Sequence, residues 1–186
     1  MKTTGVIGAG SWGTALATVL AGKGGSVKIW DIDEKHLRSM EENRENVDYL
    51  PGVPLNENIK IAYTVEEALA DADVVLFSAP AQHFRSALTS ALGHIKDDAL
   101  IINVAKGIEQ KTLLRMSQIA ADHIDMDRYV VLSGPSHAEE VGRRLPTTVA
   151  AASYNIEAAE KVQDLFMTDR FRVYTTEDVV GVELGG

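Results

Sequence analysis

Gly8-Ala9-Gly10-Ser11-Trp12-Gly13 is the stretch on which the reading of this chain turns. It has the spacing G-x-G-x-x-G. It follows a short apolar run, Thr4-Gly5-Val6-Ile7, and opens a segment rich in Ala and Leu from Trp12 to Lys23, which glycines at 22, 24 and 25 bring to an end. Alone the motif says little. Between a strand and a helix, at the head of an alternating chain, it reads as a dinucleotide-binding turn. Gly8 then allows the tight bend, Gly10 removes a Cβ so that a pyrophosphate reaches the backbone, and Gly13 lets helix and strand pack closely. The free N–H groups of the helix start face the phosphates, helped by the helix dipole. The competing reading is a turn that is glycine-rich for packing only.

Outward from the turn, strands and helices alternate. Ser26 to Trp30 reads as a second strand and Asp33 to Asn43 as a polar helix. Arg44 to Asn58, with Pro51, Gly52 and Pro54, reads as a loop. Ile59 to Ala62 is a third strand, and Thr64 with Glu67 forms a capping box for a short helix. Val74 to Phe77 is continuously apolar, and Leu100 to Val104 is of the same kind apart from Asn103, as strands buried on both faces are. Tyr129 to Leu132 is a sixth strand. Thr148 to Ala152 and Phe171 to Tyr174 add two more around a helix from Ile156 to Phe166. Val179 to Gly186 reads as an end without a closing element. The expected fold is α/β: a Rossmann-type, doubly wound, mostly parallel sheet with helices on both faces.

Asp31 closes the second strand, eighteen residues after Gly13. A carboxylate there accepts hydrogen bonds from the adenosine ribose and repels a 2′-phosphate, which favours NAD and leaves NADP as the lesser option. No arginine lies within the next six residues; the nearest is Arg38. The plainer reading is that Asp31 or Asp33 only caps the following helix.

The 186 residues fit one domain, and 45% hydrophobic with 24% charged residues is ordinary for a globular one. Acidic residues outnumber basic ones, 27 to 18, for a formal charge of −9. That argues against nucleic acid or an anionic membrane as partner, since both require a positive footprint. There is no cysteine, hence no disulfide framework and no thiolate metal site. No signal-peptide pattern stands at the N-terminus, and no apolar run approaches the roughly 20 residues that span a bilayer. These features are compatible with a cytoplasmic protein. No metal is implied, because the histidines have no ligand spacing.

Five ordered segments resemble the NAD(P)-dependent glycerol-3-phosphate dehydrogenases. They are Gly8 to Ala17, Asn46 to Val53 with its Tyr-Leu-Pro-Gly, Val104 to Glu109 with its Lys-Gly, Leu132 to Val141 with Leu145-Pro146-Thr147, and Val173 to Thr175 with Gly181 to Gly186. The resemblance covers essentially the whole chain. It implies that Ser11 and Trp12 contact the cofactor phosphates, with Asp31 or Ile32 near the adenosine. It implies that Lys106 meets cofactor and substrate, that Gly134 and Ser136 line the substrate pocket, and that Ala138 borders the cofactor. The substrate pair implied is dihydroxyacetone phosphate and sn-glycerol 3-phosphate, in the supply of phospholipid precursors. Asp31 stands where many bacterial members that tolerate NADP lack a carboxylate, so the preference for NAD rests on that residue. In the family, a Gly-Gly pair like Gly185-Gly186 leads to a second, proton-transferring lysine and a helical substrate domain. Residues 1–186 are therefore expected to form the dinucleotide-binding domain alone. A homodimer is one option for the full-length protein.

Several residues carry plainer readings beside these. Lys106 follows the fifth strand, where a cation stabilises charge growing on a carbonyl oxygen, or is a surface lysine before a turn glycine. Ala79-Pro80 borders the cofactor or simply opens a helix. Ser136 caps a helix beginning near His137, lines the pocket, or does both. His137 is read as a surface residue and not as an acid or base. Two other functions stay open: the cofactor domain of another two-domain dehydrogenase, of hydroxyacyl or 6-phosphogluconate type, and a binding module without turnover.

Overall fold

The structure, a computed structural model, describes residues 2–186. Eight strands are formed by the segments with the strongest apolar or β-branched content. They are β1 (Thr3–Ile7), β2 (Ser26–Trp30), β3 (Ile59–Ile61), β4 (Val74–Phe77), β5 (Leu100–Asn103), β6 (Tyr129–Ser133), β7 (Thr147–Ala152) and β8 (Phe171–Thr176). They join in one sheet of order β3-β2-β1-β4-β5-β6-β7-β8. All neighbours are parallel except β6 and β7. After β1 the chain builds first to one side and then, from β4, to the other. The gap between β1 and β4 is thus the topological switch point, where a doubly wound sheet opens a crevice beyond its strand ends.

The helices are α1 (Ser11–Gly22), α2 (Glu34–Asn43), α3 (Val65–Leu69), α4 (Ala81–Ala91), α5 (Met116–Ala121), α6 (Ala138–Gly142), α7 (Ile156–Phe166) and α8 (Val179–Gly185). They cover both sheet faces. On one face Leu16 and Leu20 of α1, Leu37 and Met40 of α2, and Val162 and Phe166 of α7 pack on alternate residues of the strands. On the other, Ala68 and Leu69 of α3, Phe84 and Leu88 of α4, Ile119 of α5 and Val179 of α8 do the same. Strands β4 and β5 are buried along their whole length, as an internal parallel strand clad on both sides must be.

The expected doubly wound architecture is present, with small shifts of element ends. The Thr64 hydroxyl accepts from the Glu67 N–H at 3.0 Å, while the Glu67 carboxylate reaches back to the N–H of Tyr63 at 2.8 Å, one residue before the cap. The chain end departs from expectation: it closes with α8. Asp178 caps this helix by accepting from the Gly181 N–H at 2.8 Å. Val179 and Glu183, one turn apart, point inward. The Glu183 carboxylate is buried and accepts from the Ser117 N–H at 2.7 Å, the Ser117 hydroxyl at 2.5 Å and Arg115 at 2.5 Å. A helix fastened by a carboxylate, with glycines at 181 and 185, lacks the apolar stripe by which a sequence announces one.

Removing one partner of a buried ion pair strands the other. Glu183→Ala is therefore expected to lower the unfolding free energy by about 3 kcal/mol, measured by urea denaturation. A loss below about 0.5 kcal/mol, the size of an ordinary surface change, would show that α8 is held by other contacts.

Candidate functional site

The glycine turn sits at the switch point and is locked through one residue, Ala9. Ala9 is wholly buried. Its N–H donates to the Asp31 carboxylate at 2.8 Å. Its carbonyl accepts from Asn46 Nδ2 at 2.8 Å, from the Thr14 hydroxyl at 3.3 Å, and lies 3.1 Å from His36 Nε2. A carbonyl only accepts, so His36 Nε2 carries the proton there. Asn46 also donates to Thr14 Oγ1 at 2.8 Å and accepts from the Tyr49 N–H at 3.0 Å, which binds the Tyr49-Leu50-Pro51-Gly52 loop to the turn.

The three glycines have separate reasons. Gly8 has φ +111°, and a Cβ there would lie 2.8 Å from the Ser78 carbonyl carbon. At Gly13 a Cβ would lie 2.1 Å from the Gly8 oxygen. At Gly10 a Cβ would meet nothing within 4 Å. Two of the glycines are thus demanded by the protein's own packing, and the third opens on empty space. The first intrahelical bond of α1 runs from Thr14 N–H to Gly10 carbonyl, at 3.0 Å. The N–H groups of Ser11, Trp12 and Gly13 precede it and have no helical acceptor. No side chain caps this helix, and its first turn holds no acidic residue.

That open space belongs to a cleft of about 1100 Å³ along the carboxyl ends of β1, β2, β4 and β5. Gly8, Gly10, Ser11, Trp12, Asp31, Ile32, Ala79, Pro80, Lys106, Ser136 and Ala138 all line it, so the structure gathers nearly all the sequence-selected positions on one surface. Gly13 and Gly134 stand behind that lining. Ile32 projects at the rim with 89% of its surface exposed. The Trp12 indole N–H is buried without a protein partner among the described residues. Asp31 does not cap α2; Asp33 does, accepting from Lys35 and His36 N–H at 3.0 and 3.3 Å. Pro80 is the N-cap of α4 as well as a wall of the cleft.

The far edge is made by the loops after β5 and β6. Lys106 Nζ donates to the Gly134 carbonyl at 2.9 Å and bridges the two. Gly134 is small for the sake of β7: a Cβ there would sit 3.0 Å from Val149 Cα. Ser136 does not cap α6. Its hydroxyl donates to the Gly134 carbonyl at 3.3 Å, and the N-cap is His137, with no side-chain cap bond. His137 is exposed, as expected, although it also lines the cleft.

Sequence reasoning missed several residues. Asn46 and His36, which hold Ala9, are polar residues in polar surroundings whose burial arises only when the chain folds back on the turn. Arg85 grips the Lys106 loop through Glu109, with Nε–Oε1 at 2.9 Å and Nη2–Oε2 at 2.8 Å. The Arg85 guanidinium, then the Thr112 hydroxyl, hold the Glu109 carboxyl down at about 2. No motif marked that pair.

A doubly wound sheet with an uncapped helix N-terminus over an open glycine at its switch point defines a Rossmann-type α/β domain. The family described as NAD-dependent glycerol-3-phosphate dehydrogenase N-terminus matches residues 3–159, and the chain belongs to that family. It is 52% identical over 184 residues to a glycerol-3-phosphate dehydrogenase [NAD(P)+] of Pelotomaculum thermopropionicum, covering 97% of this chain and 53% of that protein. With the Bacillus subtilis protein of the same name it shares 48% over 189 residues, covering 100% and 55%. The crystal structure of glycerol-3-phosphate dehydrogenase from Coxiella burnetii superposes with a TM-score of 0.91 at 33% identity, over 98% of this chain and 56% of that one. The chain spans about half the length of the curated relatives it matches.

The glycines give a test by stability alone. Gly13→Ala is expected to cost about 2–3 kcal/mol through overpacking, and Gly10→Ala under about 1 kcal/mol, the scale of a helix-cap change. Urea denaturation of both variants checks this. Equal losses would show that Gly10 serves packing as well.

Proposed function

We propose that this chain is the cofactor half of an enzyme that moves a hydride reversibly between NAD(H) and the sn-glycerol 3-phosphate/dihydroxyacetone phosphate pair. The observation that carries the reading is the missing Cβ at Gly10, which faces open cleft where three backbone N–H groups lack acceptors. A buried or half-buried donor row without partners is costly unless an anion or water meets it. A pyrophosphate suits it, and the helix dipole favours the negative charge.

The other residues fall into order around that anchor. Gly8, Gly10, Ser11, Trp12 and Gly13 make the phosphate-binding turn. Asp31 accepts from the Ala9 N–H with Oδ2 and from the Asp33 N–H with Oδ1, and each oxygen keeps a second lone pair for a ribose hydroxyl, with Ile32 beside it as apolar cover for the base. This favours NAD, with NADP possible. Ala79, Pro80 and Ala138 wall the cleft farther along. The nicotinamide ring supplies the hydride chemistry when bound. Lys106 holds a positive charge at the edge where the substrate oxygen gains negative charge, and Gly134 and Ser136 shape the space next to it. The proton donor and the grip on the substrate phosphate belong to the second half of the two-domain enzyme. The family resemblance and the net charge of −9 support a cytoplasmic enzyme acting on small molecules in phospholipid precursor supply; among the described residues no helix is long and apolar enough to cross a membrane.

Calorimetry tests the reading. The 186-residue chain is expected to take up NADH without reducing dihydroxyacetone phosphate, and Gly10→Ala to abolish the uptake while the fold persists. Absence of heat from the folded wild-type chain, or undiminished uptake by Gly10→Ala, would overturn it. Asp31→Asn keeps an acceptor for Ala9 and removes the charge. It is expected to shift the NADH:NADPH affinity ratio toward NADPH by about tenfold, roughly the 1.4 kcal/mol of one charge-assisted bond. An unchanged ratio would leave Asp31 only the task of holding the turn.

A further inference from the structure

Lys106 stands three residues beyond the end of β5, in an irregular loop that runs to α5. The loop's own backbone bonds are local and tie its middle only to itself. They are the isolated bridge between Ile108 and Arg115, the Glu109 N–H on the Leu114 carbonyl at 2.9 Å and the Leu113 N–H on the Glu109 carbonyl at 2.8 Å, while Gly107 and Leu113 both have positive φ, +107° and +59°. Leu113 is 70% exposed and contributes no core. A lysine on such a loop would need to be ordered each time a substrate arrived, an entropic cost that a preset position avoids.

Anchorage of its middle to the body of the domain comes from α4. Gln82 Nε2 donates to the Ile108 carbonyl at 2.8 Å, and Gln82 Oε1 accepts from the Gln110 N–H at 2.9 Å, so one amide spans the loop's backbone. Arg85, one turn farther along, meets Glu109 fork to fork, and the Thr112 hydroxyl donates to the same carboxylate. An exposed ion pair would carry little weight. Here the Glu109 side chain is only 12% exposed and all its contacts close the loop, so loss of Arg85 leaves a sequestered carboxylate unpaired. The same helix also lines the cleft, through Ala81, His83, Ser86, Ala87 and Ser90. One short helix therefore walls the cleft and grips the loop that carries the site lysine.

We propose that Arg85 and Glu109, together with Gln82, are positioning residues that hold Lys106 at the substrate edge, against the Gly134 carbonyl. The proposal rests on the reading of Lys106 given above. None of the three needs to touch cofactor or substrate; they act through the loop.

The test uses Lys106→Ala, Arg85→Gln, Gln82→Ala and the Lys106→Ala/Arg85→Gln double variant of the two-domain enzyme. Arg85→Gln is expected to lower kcat about 10- to 100-fold, the scale of a misplaced catalytic group, with KM for NADH unchanged. In the Lys106→Ala background the same substitution is expected to cost nothing more, because the group it positions is gone. Independently of turnover, Glu109 and Gln110 amides of the Arg85→Gln 186-residue chain should exchange hydrogen faster, while the Thr14 amide in the glycine turn keeps its protection. Wild-type kcat in Arg85→Gln, an equal loss in both backgrounds, or unchanged exchange in the loop would each overturn the proposal. Should Arg85→Gln fail to fold, Gln82→Ala, which removes two hydrogen bonds from an exposed residue, carries the same comparisons. Full activity in Lys106→Ala would instead defeat the reading of Lys106 itself, and the positioning role with it.

Discussion

The backbone of Ala9, through the N–H of one peptide group and the carbonyl of the next, is the point on which the site depends. Its N–H is taken by Asp31 at the edge of the cleft, and its carbonyl by Asn46, His36 and Thr14 in a buried environment. Each such bond contributes on the order of 1 kcal/mol net, but leaving a buried peptide unpaired would cost more. The set therefore acts less as a source of stability than as a rule against any other path for the turn. With the turn fixed, the N–H groups after Gly10 stay directed outward with nothing of the protein's own to bond. A ligand that meets them finds its contacts already ordered, and affinity is not spent on arranging them.

The rest of the fold serves that arrangement. The switch between β1 and β4 opens the crevice, and the close approach of Gly8 to Ser78 and of Gly13 to Gly8 brings α1 tight against the strand ends. From the other side the edge is built by the β5 and β6 loops, joined by Lys106 on the Gly134 carbonyl. Gly134 itself fits under β7, so the one antiparallel junction in the sheet, β6 with β7, helps set where that loop runs. Helix α8 then fastens beside Ser133: a Cβ on Gly186 would lie 1.9 Å from the Ser133 hydroxyl. The last described residue thus lies beside the strand end from which the Gly134 loop departs.

Much of this was legible in the amino-acid order because local signals carried it. The runs Val74–Phe77 and Leu100-Ile101-Ile102 read as strands buried on both faces, and the glycine spacing with its flanking strand and helix located the turn. What escaped notice was set by distant contacts. Asn46 reads as a loop residue, and its complete burial follows from a partner 37 positions away. Arg85 and Glu109 are 24 positions apart and look like ordinary surface charges. Glu183 disguised α8, since a buried carboxylate breaks the apolar pattern by which a helix is recognised. Ser136 seemed a helix cap by residue type, yet the backbone turns so that its hydroxyl meets Gly134 instead.

The account stands or falls on where a dinucleotide meets the backbone. A titration of the ¹⁵N-labelled chain with NADH, followed by amide shifts, reads this residue by residue. The largest changes are expected at Gly10, Ser11 and Trp12, with smaller ones at Ile32 and Ala79 and none along β7 and β8. Shifts confined to other surfaces, or a glycine turn that does not respond at saturating NADH, would contradict it.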